Sequence, residues 1–264
     1  MTELATDLAR RTPARHALPP RTSDCPPEEA EAATGKAIAP MALVTVGEQR
    51  SPDQLRRLRR EGIPLGKALP WGSNEACRVL VERSPSMILL DCSLEGERLA
   101  DCVRASALIA PVVVLREEGP RMVVSVQGAD VMLKCSSGQN ILAAFHAGAF
   151  DVLDSRAPLV ELAARLMADL KRCMQAAQYR RPLWSGGSSP SQRLLFDVIV
   201  RATAPICCHD LTQLLGTAWE PLSIRALRAR VHRLLPIFDA MGLPLVIDQW
   251  RGVFTYRVDR WPAG

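Results

Sequence analysis

The sequence predicts two folded parts, an α/β doubly wound domain followed by a helical domain that ends in a short β-hairpin. Short, continuous apolar segments alternate with helical patterns between residues 41 and 174. From residue 189 onward, three helical patterns precede two strand-like segments. Residues 175–188, which end in glycine and serine, are typical of a linker between the two parts. This order of patterns is what predicts the fold class.

The N-terminal part begins after an arm, residues 1–40, that is rich in Pro, Ala, Arg and Glu and is predicted to be disordered. The predicted strands are residues 42–46, 64–69, 87–90, 111–115 and 151–153, and the predicted helices are residues 51–61, 73–83, 96–108, 140–147 and 157–174. Continuous apolar strands between helices predict a parallel sheet that is covered on both faces. Ligands of such sheets bind at the carboxyl ends of the strands.

One stretch, residues 121–137, does not fit the alternation and is predicted to be an inserted β-hairpin. Residues 128–134 compete with residues 148–153 for the place of the fifth strand. We favour residues 148–153, because a long helical pattern follows them directly. The choice decides whether Ser155 or Lys134 follows the last strand of the sheet.

The third C-terminal helix, residues 223–241, carries the functional pattern. Its apolar residues recur at helical spacing, as a stripe of Ile224, Leu227, Val231, Leu234 and Phe238. The opposite face carries Arg225, Ala229, His232 and Arg233, and Arg228 and Arg230 flank that face. An α-helix fits the major groove of DNA, and arginine binds guanine edges and phosphates. With Arg251 at the tip of the following strand pair, the pattern predicts a DNA-binding winged helix-turn-helix domain over residues 189–264. Pro236 is expected to kink this helix or to end its regular part early.

This domain resembles that of OmpR/PhoB-type response regulators. The residues that carry the resemblance are Leu214 and Leu215 followed by Trp219, the segment Arg230-Val-His-Arg-Leu234, and the hairpin segment Arg251-Gly-Val-Phe-Thr-Tyr-Arg257. The resemblance implies that Arg228, His232 and Arg233 contact bases and that Arg251 reaches the minor groove. Residues 181–188 are too short to supply in full the small sheet that precedes the first helix in this family.

Residues 41–174 resemble the receiver domain that usually accompanies such DNA-binding domains. Asp91, which ends the third predicted strand, matches the family's phosphoacceptor. The rest of the receiver pocket departs from the family. Only Glu48 remains of an acidic pair, Arg116 replaces a serine or threonine, and Ser155 replaces a lysine. Phosphoryl transfer needs its charge neutralised by a metal and a lysine, so the resemblance implies a receiver that is poor at phosphorylation. We hypothesise that Arg116 pairs with Asp91 in place of phosphate.

Composition is compatible with an intracellular regulator. The chain has 264 residues, a formal net charge of +5 and 48% hydrophobic residues. It has no apolar run of 18 or more residues and no apolar signal core at its N-terminus, so neither membrane insertion nor secretion is expected. Its eight cysteines contain no C-x-x-C pair and are expected to be buried free thiols. Cys207 and Cys208 begin the second C-terminal helix, whose dipole could lower a thiol pKa, and a metal or redox switch there is the alternative.

The sequence predicts a regulator and not an enzyme, because it contains no phosphate-binding loop, dinucleotide-binding motif or nucleophile elbow. No cofactor and no metal are expected. We predict a cytoplasmic, sequence-specific transcription regulator whose atypical receiver serves dimerisation or partner sensing. Double-stranded DNA and RNA polymerase are its expected partners, together with a second copy bound through the receiver-like domain. A phosphorylation-driven response regulator and a protein-binding winged helix are the alternatives. With its arginine-rich composition, its incomplete receiver pocket and its resemblance to OmpR/PhoB-type regulators, the chain also resembles HrpG-like regulators of type III secretion in plant-pathogenic bacteria.

Overall fold

The strands of the N-terminal part are formed by apolar segments that are buried on both faces. The computed structural model describes residues 41–47, 52–117, 123–126, 129–132, 137–176, 184 and 189–259. The N-terminal elements are β1 (Met41–Val46), α1 (Pro52–Arg60), β2 (Leu65–Pro70), α2 (Asn74–Arg83), β3 (Met87–Cys92), α3 (Gly96–Ala107), β4 (Val112–Arg116), β5 (Val123–Val126), β6 (Ala129–Met132), α4 (Ser137–His146), β7 (Ala149–Asp154) and α5 (Leu159–Ala176). Every residue of β1, β3 and β4 is buried, as expected for central strands of a parallel sheet. The predicted arm, Glu48, Lys134 and most of the predicted linker lie outside the described residues.

These strands form a five-stranded sheet in the order β2-β1-β3-β4-β7, in which all neighbours are parallel. Leucines of α1 and α5, such as Leu58 and Leu166, pack on one face together with Leu43 and Leu89. The other face is covered by α2, α3 and α4. Because all strands run the same way, their carboxyl ends lie at one edge, which we call the carboxyl edge. The predicted doubly wound, receiver-like α/β architecture is confirmed.

The inserted hairpin and the fifth strand are also confirmed. β5 and β6 pair antiparallel with each other in a separate two-stranded sheet. β7 pairs with β4 and completes the parallel sheet. Ser155, and not Lys134, therefore follows the last strand, which settles the choice between the two registers.

The C-terminal part contains three helices and a small antiparallel sheet. Its elements are α6 (Pro190–Arg201), β8 (Ile206–Cys207), α7 (Cys208–Leu215), α8 (Ile224–Ala240), β9 (Leu245–Trp250) and β10 (Val253–Val258). The three strands are ordered β8-β10-β9. The order of elements follows the predicted one, and the short apolar link at residues 206–207 adds a third strand to the predicted pair because it pairs with Tyr256 and Thr255.

The two parts share one apolar core. Helix α6 packs against α2, and α7 packs against α3. Leu194, Leu195, Leu211 and Leu214 are buried in the same cluster as Leu80 and Val103 of the N-terminal part. Both parts accordingly belong to one compact unit. The described part of the chain thus joins the receiver-like sheet and the C-terminal helices through hydrophobic contact, and not through the linker alone.

Two hydrogen bonds of α7 residue Gln213 cross this contact. The Trp71 indole Nε1 donates to the backbone carbonyl oxygen of Gln213 over 3.2 Å. The Gln213 side chain is buried, and its Nε2 donates to the Cys102 sulfur over 3.5 Å. A buried amide without partners would oppose the contact, so these bonds help to select the orientation of α7 on α3.

Two ion pairs lie at the rim of the same contact. Arg193 of α6 lies 3.1 Å from Glu82 of α2, and Arg104 of α3 lies 3.6 Å from Asp210 of α7. Such pairs near solvent are each worth about 0–1 kcal/mol, so they add specificity more than stability.

A glycine lies where the two parts approach each other closely. Gly72 has a φ of +72°, and a Cβ atom at this position would lie 2.1 Å from the carbonyl oxygen of Gly216. No side chain fits there without displacing backbone. Gly72 is therefore required both by its left-handed conformation and by the contact.

No helix among the described residues is both long enough and apolar enough to cross a membrane.

Replacing Gly72 should weaken the contact between the two parts and lower the free energy of unfolding. Gly62 is the matched control, because it also has a positive φ but a Cβ atom there would meet no atom within 4 Å. Gly62→Ala should cost about 1–2 kcal/mol of unfolding free energy from left-handed strain alone. Gly72→Ala should cost about 1–3 kcal/mol more, because the added methyl group overpacks the contact. Urea unfolding of the two variants measures the difference, and equal losses would show that the contact is not tight.

Candidate nucleic-acid interface

Helix α8 exposes a basic face because its apolar stripe is buried. Leu227, Val231, Leu234 and Phe238 lie in the shared core. The helix starts after Ser223, whose side-chain oxygen accepts the N–H of Ala226 over 3.2 Å, as an N-cap does. The cap and the stripe together set the rotation of the helix, so the opposite side faces solvent.

The exposed face contains four of the predicted DNA-binding side chains, Arg225, Arg228, His232 and Arg233. None of the arginines of α8 takes part in an ion pair with another residue that the structure describes. Exposed guanidinium groups without carboxylate partners produce a positive potential over this face. The face is therefore suited chemically to a polyanion.

Arg230 is set apart from these side chains. It is half-buried, and its Nη1 is buried with no hydrogen-bond partner among the described residues. It lies close enough to Cys77 of α2 to act on that thiol. Burial raises the pKa of Cys77 above its ordinary value, and the charge of Arg230 opposes this rise. The structure thus turns Arg230 toward the N-terminal part and away from the exposed face.

The hairpin of β9 and β10 brings Arg251 to an exposed tip. Arg251 and Gly252 form the two-residue turn, with φ values of +48° and +81°. Positive φ at both positions is the signature of a type I′ turn, which matches the twist of the flanking strands. The Arg251 guanidinium carbon lies 4.5 Å from the ring centroid of Trp250, and that of Arg228 lies 5.1 Å from the Phe254 ring. The second stacking contact ties α8 to the hairpin.

Of the two effects expected of Pro236, an early end of the helix is not observed. Helix α8 continues to Ala240 with Pro236 inside it. Leu234 and Phe238, on either side of the proline, are both fully buried. Burial of these two side chains favours continuation of the helix over the loss of one backbone hydrogen bond.

The predicted receiver pocket lies at the carboxyl edge of the parallel sheet. Asp91, Arg116 and Ser155 are all buried. The structure brings Arg116 and Ser155 together, because the backbone N–H of Ser155 donates to the carbonyl oxygen of Arg116 over 2.8 Å. Asp91 is the penultimate residue of β3, the strand that pairs with the strand of Arg116.

The hypothesis that Arg116 pairs with Asp91 is wrong. Among the described residues, no ion pair joins the two side chains. Asp91 is in register with Leu115, so Arg116 lies one residue further along its strand and points to the opposite face of the sheet.

The described cysteines behave as small apolar side chains. Cys77, Cys92, Cys102, Cys173, Cys207 and Cys208 are free, and all but Cys207 are buried. Burial raises the pKa of Cys207 at the start of α7, which is opposite to the lowering that the helix dipole could produce there. The described residues contain no group of three or more His, Cys, Asp or Glu side chains able to hold a metal ion.

The sequence patterns did not predict one contact, which is made by Trp219. Trp219, in the loop between α7 and α8, is 59% exposed and is covered on one side by Arg98 of α3, whose guanidinium carbon lies 5.3 Å from its ring. A Cβ atom at Gly47, just after β1, would lie 3.7 Å from the same ring. Trp219 therefore lies beside the carboxyl edge. No local pattern relates residues this far apart in the chain, and only the exposed tryptophan itself was a signal.

No known protein family and no curated protein matches the chain. Similar solved structures include one described as belonging to a novel family of redox sensors in the streptococci that evolved from two-component response regulators. It is 13% identical in sequence to this chain. The match covers 83% of this chain and 100% of that chain, with a TM-score of 0.33. The signal receiver domain of a histidine kinase from Syntrophus aciditrophicus is 18% identical over 56% of this chain and 98% of that chain, with a TM-score of 0.34. A cysteine-to-serine mutant of RitR is 11% identical over 84% of this chain and 99% of that chain, with a TM-score of 0.30. The receiver-like assignment of the N-terminal part rests on its own strand order and helix layers.

The turn at Arg251 should tolerate asparagine better than alanine. Both substitutions remove the guanidinium, but asparagine adopts positive φ more readily and Asn-Gly is a preferred type I′ pair. Arg251→Asn should therefore be more stable than Arg251→Ala by about 0.5–1 kcal/mol. Thermal unfolding of the two variants measures this difference. Equal stability would show that residue 251 does not hold a left-handed conformation in solution.

Proposed function

We propose that this protein is a cytoplasmic transcription regulator whose C-terminal part is a winged helix-turn-helix domain that binds specific DNA sequences. The observation that supports the proposal best is the exposed basic face of α8, which lacks carboxylate partners among the described residues. In the proposed complex α8 lies in the major groove, and the β9–β10 hairpin lies along the adjacent minor groove.

The proposed contacts divide into two kinds. The side chains proposed to contact base edges are Arg228, His232 and Arg233. They lie along the centre and one border of the exposed face. Arg225 and Arg251, at the start of the helix and the tip of the hairpin, contact phosphates and the minor groove. Arg230 was predicted as a further contact, and its half-buried position favours a role in holding α8 against α2.

The receiver-like part is proposed to serve dimerisation or partner sensing. Leu142 and Phe145 of α4 and Phe150 of β7 are 55%, 44% and 42% exposed. Large apolar side chains exposed together favour a protein contact, and a second copy of the chain is the proposed partner. Two copies paired in this way would bind two half-sites on DNA, and RNA polymerase is a proposed further partner.

A phosphorylation-driven response regulator is the less favoured alternative. Asp91 lies near the carboxyl end of β3, as a phosphoacceptor would, but Ser155 follows β7 in place of a lysine. Without that lysine the charge of a transferred phosphoryl group is poorly neutralised.

A protein-binding winged helix is the second alternative, and exposed side chains of β9 favour it. Trp250 is 71% and Ile247 is 46% exposed. Apolar side chains on an outer strand are more typical of a protein contact than of a DNA contact.

Capture of genomic DNA fragments by the purified protein tests the proposal. The intact protein should select fragments that share a sequence motif, and direct repeats of it are expected if the receiver-like parts pair. Arg233→Ala should lose about 1–3 kcal/mol of binding free energy and relax the motif at one position. Arg251→Ala should weaken binding to all selected fragments. The resemblance to HrpG-like regulators extends the proposal to genes of virulence and secretion, which sequencing of the fragments would identify.

Arg165→Ala is the matched control, because it removes the same charge from α5, where Arg165 pairs with Asp151 at 2.8 Å. It should leave DNA binding intact. Weak binding without a motif, equally strong in all variants, would contradict the proposal and favour the protein-binding alternative.

A further inference from the structure

Strand β9 has an open edge and carries exposed apolar side chains. It lies at the outside of the β8-β10-β9 sheet, and in the described part of the chain it pairs only with β10. Ile247 and Trp250 of this strand are both exposed. An unpaired edge presents backbone N–H and C=O groups, and exposed apolar side chains beside it favour the addition of another strand.

Strand β2, an outer strand of the parallel sheet, is protected in a way that β9 is not. Arg59 donates to the carbonyl oxygens of Leu65 and Gly66 over 3.3 and 2.6 Å. The strand also contains Lys67 and Pro70, and both residue types hinder strand addition at an edge. In contrast, β9 contains no lysine, arginine or proline. Its edge is therefore open to a further strand.

The geometry of the hairpin determines which residues of β9 face the open edge. The two-residue turn makes Trp250 and Val253 a hydrogen-bonded pair, so every second residue back along β9 also bonds to β10. The Asp259 N–H donates to the carbonyl oxygen of Pro244 over 2.9 Å, which fits this alternation. The intervening residues direct their N–H and C=O groups to the open edge. These residues are Leu245, Ile247 and Gln249.

In one antiparallel register, β9 is complementary to a second copy of itself. When a two-fold axis passes through Ile247, this residue lies opposite its own copy, and Leu245 lies opposite Gln249. All three residues face the edge, so the two strands exchange about six hydrogen bonds. The exposed Trp250 then lies opposite Pro244 of the second copy, on the other face of the sheet. Apolar side chains that are exposed in one copy are thus covered by apolar side chains of the other.

The charges of the hairpin permit this pairing. Asp248, the one charged residue of β9, lies opposite Val246 of the second copy, so no like charges are directly opposed. Asp248 also lies 3.6 Å from the guanidinium Nε of Arg257 in its own hairpin. Moving the axis to Asp248 would place two carboxylates opposite each other, which disfavours that register.

We propose that two copies of this protein pair antiparallel through β9, with the two-fold axis at Ile247. The pairing joins the small antiparallel sheets of the two C-terminal parts into one continuous sheet. This contact is separate from the proposed pairing of the receiver-like parts. It rests neither on that pairing nor on DNA binding.

Disulfide cross-linking of the full-length Ile247→Cys variant tests the proposal. The axis places the Cα atoms of the two cysteines about 5.5 Å apart, which a disulfide can span. Mild oxidation should therefore produce a covalent dimer in a yield above that of the unmodified protein, whose own cysteines set the background. Gln249→Cys is the matched control, because it is exposed on the same strand but lies opposite Leu245. Alone it should stay at background, and together with Leu245→Cys it should cross-link.

Two further substitutions separate strand pairing from proximity alone. Ile247→Lys, added to the Leu245→Cys/Gln249→Cys variant, places two like charges opposite each other and should lower the cross-linking rate at least about threefold. Ile247→Val in the same variant should preserve the rate. Phe145→Lys, on the exposed apolar face of the receiver-like part, should leave the Ile247→Cys cross-link unchanged.

Cross-linking of Ile247→Cys at background level would overturn the proposal, and so would equally strong cross-linking of Gln249→Cys alone. Loss of the cross-link in Phe145→Lys would overturn it as well, because the strands would then meet only through the receiver-like parts. If Ile247→Cys does not fold, the Leu245→Cys/Gln249→Cys variant tests the same register, and background cross-linking of that variant would overturn the proposal.

Discussion

The hydrophobic contact between helices α2 and α3 of the receiver-like part and helices α6 and α7 of the C-terminal part is the constraint on which the rest of the structure depends. Leu194, Leu195, Leu211 and Leu214 are buried in it. Each such side chain contributes about 1.5–3 kcal/mol, whereas each rim ion pair contributes about 0–1 kcal/mol. Burial therefore dominates the contact, and the polar bonds of Gln213 and Trp71 select its orientation.

This contact determines what the remaining surfaces present. With α6 and α7 held against the receiver-like part, the apolar stripe of α8 is buried. Arg225, Arg228 and Arg233 of the same helix face solvent. The same docking places Trp219, from the loop before α8, beside the carboxyl edge, where it is covered by Arg98 of α3. Helix α3 thus contacts the carboxyl edge with its N-terminus and α7 with its side chains, so only one helix separates that edge from the C-terminal part.

The arginine side chains occupy three kinds of environment in this protein. The energetic cost of lacking a partner differs between these environments. Arg104, Arg165 and Arg193 lie next to carboxylates and are satisfied locally. The arginines on the exposed face of α8 keep their hydration, so the absence of partners costs little and leaves them available to a polyanion. Arg116 is buried, so the absence of a hydrogen-bond partner for its Nε and Nη1 among the described residues is costly.

The sequence by itself determined the elements and their order, since the apolar runs of β1, β3 and β4 and the stripe of α8 are local patterns that burial imposes on any strand or helix. It also predicted the basic face of α8 and chose β7 as the fifth strand, because helical spacing and a following helix are readable along the chain. Only the tertiary structure decided that Arg230 turns toward Cys77, that Arg116 and Asp91 lie on opposite faces, and that Trp219 lies beside Gly47. These relations depend on strand register and on the docking of distant helices, and both are set by packing between residues that no local pattern connects.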